Sequence, residues 1–363
     1  MAVYKDCINR ICEKIHTGLI DFNEPRGKAP MPTQASSEFI TNKQQGDWAE
    51  DVLLRSINEN SENIVAIKYG KSDDLVAGDD DFAVFFSNYQ TELDLIGKRP
   101  DLLLFKKKDF DERLGYDISH CKTNEVEEYV KKAIAGIEVR SSAFLIDKYT
   151  AEANEVIAKN TEEAIRLKNI ILGDYSDLLQ QKRPELIGLL MQLDEVSVRS
   201  LDFKTYSWRS SQRLQELSHL LSELKKCLKL VQKRNSLSIT PKVEDLKVVH
   251  KWIMTYGVPH FYVQVLFDKI YGISFKRVLE LVANPDLEGN EYFVEQDEKN
   301  QNKTTIKIPS QKGLCLAQKV IEPAHQSVRK EVGRGRLLFY VKFNGGEAYI
   351  DKENFDALFG CKL

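Results

Sequence analysis

Two acidic residues sit where a folding chain tolerates them least. Asp101 follows Pro100 and precedes Leu102, Leu103, Leu104 and Phe105, while Glu138 lies between Ile137 and Val139, just after Gly136. Both stretches are short apolar runs bounded by Gly, Pro or Ser and rich in residues that suit a pleated surface, so each predicts a buried strand. A carboxylate at the edge of one such strand and another inside a second are costly to desolvate unless positive charge lies between them. A divalent cation meets that need with few protein groups. Mg²⁺ takes hard oxygen ligands, commonly one or two carboxylates, and fills its octahedron with phosphate oxygens and water. Asp101 and Glu138 are therefore the first candidates for metal ligation and for catalysis.

The elements around them predict an α/β fold with a mixed central sheet flanked by helices. Residues 1–35 read as an N-terminal helix and loop. Ser36 and Ser37 cap a helix reaching about Asn58, whose apolar face carries Phe39, Trp48, Val52, Leu53 and Ile57. Glu50 lies among these apolar neighbours, and pattern alone favours an ordinary exposed helix acid there. Ile64 to Tyr69 predicts a strand, Phe82 to Phe86 a strand or buried turn, and residues 124 to 135 a helix leading to Glu138. Residues 143–236 read as a large helical insertion. Its last helix carries Leu214, Leu217, Leu221, Leu224, Leu228 and Val231 at core spacing. A helix through Ile253 and strands near His260–Phe267 and Gly272–Phe275 then complete a core spanning residues 36–285. Residues 286–363 read as a small β-rich C-terminal region.

Composition narrows the function. With 363 residues, 42% of them hydrophobic, the chain can bury a large core, and a net charge of −3 excludes a uniformly basic DNA-coating protein. Any nucleic-acid surface must be local. Lys106, Lys107 and Lys108 follow the Asp101 strand, and Arg329, Lys330, Arg334 and Arg336 form a glycine-spaced basic loop. Lysines gather phosphate and arginine can grip a guanine edge with two hydrogen bonds, although solvated surface charge is an equally economical account of both groups. The six cysteines have no Cys-x-x-Cys spacing, which argues against structural zinc and fits reduced thiols in the cytoplasm. No apolar run approaches membrane-spanning length, and no nucleophile elbow, phosphate loop or dinucleotide fingerprint occurs.

Pro100-Asp101 followed by Glu138-Val139-Arg140 resembles the PD-(D/E)XK nuclease signature, with Arg in place of the usual Lys. The upstream Gly46-Asp47-Trp48-Ala49-Glu50 resembles the helix that adds a third acid in that superfamily. The run from Ile239 to Phe275 resembles later core elements of type II restriction endonucleases of the AccI kind. The resemblance implies Mg²⁺-dependent cutting of double-stranded DNA at a short sequence by a homodimer. On it, Asp101, Glu138 and Glu50 would serve as metal ligands. The catalytic cation stays open between Arg140, two residues past Glu138 on the same strand face, and Lys242, with Lys204 a third choice. Because arginine stays charged and is a poor proton carrier, a DNA-binding protein with a degenerate nuclease core is the alternative reading. A helical interaction protein would rest on the insertion alone.

Overall fold

The computed structural model describes all residues except 1, 16–18, 25, 29, 72–74, 234–235 and 298–302, and the side chains of residues 2–4, 297, 303 and 334 also lie outside the description. The chain forms two compact units, one of Met1–Ile146 with Leu237–Leu363 and the other of Asp147–Ser236.

The larger unit is organised on a seven-stranded mixed sheet. In spatial order its strands are β1 (Ile64–Lys68), β2 (Leu102–Lys106), β3 (Ala135–Ser142), β5 (His260–Leu266), β6 (Ile270–Ser274), β9 (Leu314–Ile321) and β12 (Glu347–Ile350). Only β3 and β5 run parallel, with Glu138 opposite Tyr262 and Arg140 opposite Gln264. Strand alternation sends neighbouring side chains to opposite faces. Ile137 and Val139 accordingly join Leu102, Leu104 and Val263 beneath α2 (Ser37–Asn60) and α11 (Lys352–Phe359), whose Trp48, Val52, Leu53 and Phe355 close that layer. Leu103, Phe105, Tyr262 and Ile273 face the other layer, formed by α1 (Ala2–Cys12), α4 (Thr123–Val130), α9 (Val243–Tyr256) and α10 (Phe275–Val282). Glu138 and Arg140 belong by alternation to this second face. The α/β class with a mixed sheet flanked by helices is thus the observed one.

The structure corrects several local readings. Phe82 to Phe86 opens helix α3 (Phe82–Ile96) instead of forming a strand or turn. The reason is a stripe at helical spacing that continues past the five residues, with Phe82 near Phe86 and Phe85 stacked on Tyr89. The N-terminal helix ends at Cys12. The segment before Lys242 forms β4 (Ser238–Ile239), which pairs with β8 (Lys303–Pro309), itself paired with β7 (Phe293–Asp297). The basic loop read at Arg329 to Arg336 is the end of a hairpin: Arg329 and Lys330 lie on β10 (Ala324–Val332) and Arg336 begins β11 (Arg336–Asn344). The segment 286–363 is not confined to an appendage, since β9 and β12 extend the main sheet.

The smaller unit is helical: α5 (Ile146–Asp174, starting one residue before it), α6 (Ser176–Lys182), α7 (Pro184–Met191) and α8 (Gln212–Gln232). Leu167, Ile171, Leu190, Leu217, Leu221 and Leu224 form its own core. Pro184 opens α7, where a missing backbone N–H costs nothing.

Candidate active site

Antiparallel pairing of β2 with β3 sets Leu102 opposite Ile137, so Asp101, one residue earlier, stands beside Glu138. The Asp101 Oδ2 accepts a 2.7 Å hydrogen bond from the Val139 N–H, which fixes the carboxyl at the strand end. Gly70 leaves room for it, since a Cβ there would lie 2.9 Å from the Asp101 Cα.

A segment without regular structure delivers the next residue. After α3 the chain turns through Gly97, whose φ is +85°, and runs against α9. The Lys98 N–H donates to the Val248 carbonyl at 2.9 Å. Asp245 lies three residues before Val248, hence on the same side of α9, and Lys98 reaches it. The Lys98 Nζ lies 2.5 Å from Glu138 Oε1 and 3.3 Å from Asp245 Oδ2. Arg140 makes the same pair of contacts through Nη2, at 3.0 Å and 3.3 Å. Two cations are therefore held between one oxygen of each of two carboxylates.

This arrangement sorts the acids into two kinds. Burial raises the pKa of Glu138, but Lys98 and Arg140 outweigh it and hold the group below the usual carboxylate range. Burial likewise opposes ionisation of Asp245, and Lys98, Arg140 and Lys242 overcome it. Asp101 goes the other way. Burial, then the neighbouring Glu138 and Glu50, push it well above its ordinary value, against the pull of Lys98. Glu50 is raised by burial to about 7, with Asp47 and Glu138 adding to the shift and Lys68, 3.7 Å away, opposing it. Lys98 is desolvated, yet Asp245 and Glu138 keep it firmly protonated. His260, opposite Gly136, is pushed down to about 4 by burial and is neutral; it is fully buried and its ring nitrogens have no hydrogen-bond partner among the described residues.

The donor set suits a divalent cation of modest protein demand. The Glu138 Oε2 is buried without a hydrogen-bond partner among the described residues, while Oε1 takes both cations. Beside it, Asp101 carries a carboxyl whose pKa burial, and after it the acidic neighbours, push well above the ordinary value. Added positive charge here would relieve both. Among the described residues no three His, Cys, Asp or Glu side chains group as a metal site. Glu50 lies 3.7 Å from Lys68, and among the described residues it does not group with Asp101 and Glu138.

Of the remaining sequence candidates, Lys242 stands at the N-terminal boundary of α9, half-buried, and its charge acts on Asp245. Lys106 and Lys107 are not near the acids: five residues of β2 separate Lys106 from Asp101, about 17 Å of extended strand. Arg336 donates to Gln34 at 2.6 Å, and the Arg334 side chain lies outside the described residues. Lys204 belongs to the helical unit. Sequence reading missed Lys98 and Asp245. The signal available for Lys98 was its place three residues before Asp101 in Gly97-Lys98-Arg99-Pro100.

A family model for the AccI restriction endonuclease matches residues 1–362. The chain belongs to the AccI restriction endonuclease family. It is therefore a type II restriction endonuclease, an enzyme acting on DNA, and the family implies a divalent metal cofactor. No curated protein and no solved structure matches the chain. Among the described residues no helix of this AccI-family chain is long and apolar enough to cross a membrane.

The raised acids carry a pH signature. A carboxyl with a raised folded pKa contributes stability that is complete below its unfolded value and is lost as pH rises through the folded value. For Glu50 that window runs from 4.5 to about 7, an upper bound of about 3 kcal/mol, and Asp101 acts in the same direction. Glu138 and Asp245 have lowered values, so their contribution is lost only in acid. The metal-free enzyme should thus melt at lower temperature as pH rises from 5 to 8. Glu50→Gln should flatten that slope, and a divalent cation should restore the melting temperature most at the alkaline end. A melting temperature that is level across this range in chelator would rule the account out.

Proposed function

We propose that this enzyme hydrolyses double-stranded DNA at a short sequence with Mg²⁺, using Asp101 and Glu138 to hold the ion and Lys98 and Arg140 to manage charge at the phosphate. The observation that carries the proposal is the convergence of Lys98 and Arg140 on one oxygen of Glu138, while its other oxygen, beside Asp101, has no hydrogen-bond partner among the described residues. A divalent ion there supplies Lewis-acid polarisation of the phosphate and a more acidic water. Arg140, always charged, clamps phosphate oxygens. Lys98 is protonated in the resting site, which suits it to stabilise negative charge on the phosphate and to give a proton to the departing 3′ oxygen, and not to take one from water. Asp245 holds both cations in place, and Lys242 acts through Asp245. Glu50 acts at one remove, through water or on Asp101. A homodimer would match a palindromic site, and reduced scattered cysteines suit the cytoplasm.

Plasmid digestion tests this reading. Discrete fragments should appear with Mg²⁺, vanish in chelator, and correspond to twofold-symmetric sites, with a dimer by sedimentation. Lys242→Ala should retain cutting within about tenfold, because it acts only through Asp245. Sequence-selective binding with no cutting in any divalent ion would favour the degenerate-core reading that Arg140 raises.

A further inference from the structure

The β10–β11 hairpin forms a two-stranded sheet of its own that packs on the rest of the fold. Its inner face packs Val332, Leu338 and Tyr340 on Ala35, Ile40 and Val76, and Lys330 pairs with Asp79 at 3.0 Å. One edge is bound to α2, where the Phe339 N–H donates to Ser37 Oγ at 3.3 Å and the Val341 N–H donates to Thr41 Oγ1 at 3.1 Å. The cross-strand pairs Arg329 with Phe339 and Glu331 with Leu337 lie on the opposite face. That face is open, with Phe339 60% and Leu337 43% exposed.

We propose that this hairpin enters the major groove of the DNA, and that Ser327, Arg329 and Glu331 on β10 with Leu337 and Phe339 on β11 read the base edges. The proposal rests on the nuclease reading above. Three properties support it. Residues 324–344 hold five Lys or Arg against one Glu in a chain whose net charge is −3, so the segment is locally basic, with Arg329 on the outward row and Lys330 paired with Asp79 on the inner one. A two-stranded ribbon fits the groove, whose width is about 12 Å. The outward row also carries the chemistry the groove displays: Arg for guanine O6 and N7, Glu for the cytosine amino group, Ser for either, and apolar side chains for the thymine methyl. Placement agrees as well. Thr41 and Glu50 are nine residues apart on α2, about 14 Å along the helix. A self-association face would be depleted of charge at its centre, whereas Arg329 and Glu331 sit in the middle of this row.

The test uses the full chain with Ca²⁺ in place of Mg²⁺, incubated with a pool of random duplexes. Bound DNA is recovered and sequenced for the wild type, Arg329→Ala and Phe339→Ser. The wild type should enrich a short sequence. Each variant, with a melting temperature within a few degrees of wild type, should lose preference at one or two base pairs and bind the selected duplex roughly 5- to 150-fold more weakly. Unchanged preference in both folded variants overturns the proposal, as does a lack of any preference in the wild type. A changed sedimentation coefficient with unchanged preference also overturns it and marks the face as a subunit contact. Should either variant fail to fold, Arg329→Gln replaces it under the same criteria. Asp101→Asn separates this claim from the nuclease reading, because it should keep the preference while losing cutting. Wild-type preference that depends on the hairpin but comes with no cutting in any divalent ion would sink the nuclease reading and leave the hairpin's role standing.

Discussion

Asp101→Asn and Glu138→Gln should each lower the rate of DNA cutting by about 10³-fold or more, with duplex binding retained. Several kilocalories of transition-state stabilisation come from a metal ion at a phosphoryl centre, and about 4 kcal/mol corresponds to that factor. The two substitutions should differ in a second readout. Glu138→Gln removes the charge that Lys98 and Arg140 share with Asp245, so it leaves two half-buried cations facing one carboxylate and should also lower the melting temperature. Asp101→Asn removes an acid whose ionisation burial and then its acidic neighbours oppose, so the metal-free protein should be no less stable than wild type at pH 8. Lys98→Ala should cost about 10²- to 10⁴-fold in cutting, and Lys98→Arg should not restore it if proton donation to the leaving oxygen is the role, because arginine does not release its proton. Single-turnover cleavage with melting curves in chelator checks all four. Wild-type rates in Asp101→Asn, or in Lys98→Ala, would remove these residues from the reaction.

Gly97→Val should destabilise the protein by about 3–5 kcal/mol, combining left-handed backbone strain with an overpacked contact. A Cβ at this position would fall 2.2 Å from the Val248 carbonyl oxygen and 2.6 Å from the Trp252 nitrogen, both backbone atoms of α9 that have no room to retreat. Relief would push the 97–101 segment away from the helix, carrying Lys98 from Asp245 and Asp101 from the strand end. The fraction that stays folded should therefore cut poorly, unlike a variant weakened at a distant core position. Urea denaturation together with specific activity per folded molecule gives the answer. A loss below 1 kcal/mol would show that the segment does not rest on α9 as described.

The sequence made the sheet and its two acids legible because each signal was local. Pro100-Asp101 before four apolar residues, and Glu138 within a β-branched run, mark strands whatever surrounds them. Ser36 announced α2 and indeed caps it, accepting from the Phe39 N–H. Where meaning depended on distant packing, local reading ran out. Asp245 looks like any acid in a first helical turn, favoured there by the helix dipole, and only the docking of Gly97 on α9 turns it into the partner of Lys98. Lys98 itself lies between a glycine and a proline in a stretch that reads as solvated. Strand β10 was read as loop because His325, Gln326, Ser327, Arg329 and Lys330 show no apolar alternation; much of the strand is exposed, so it needs none. Phe82 to Phe86 misled for the opposite reason, since a short apolar run looks alike in a strand and in a half-exposed helix.

Helix α2 touches the hairpin with Ser37 and Thr41 and carries Glu50 toward the acids about two and a half turns later. An unbroken helix has no joint over that distance. A misfit felt at one end therefore becomes a displacement at the other, of the sub-ångström size that metal-dependent hydrolysis does not forgive. On the hairpin proposal, fidelity would need no separate proofreading step: a wrong base pair would tilt the lever, and the cut would fail for want of alignment.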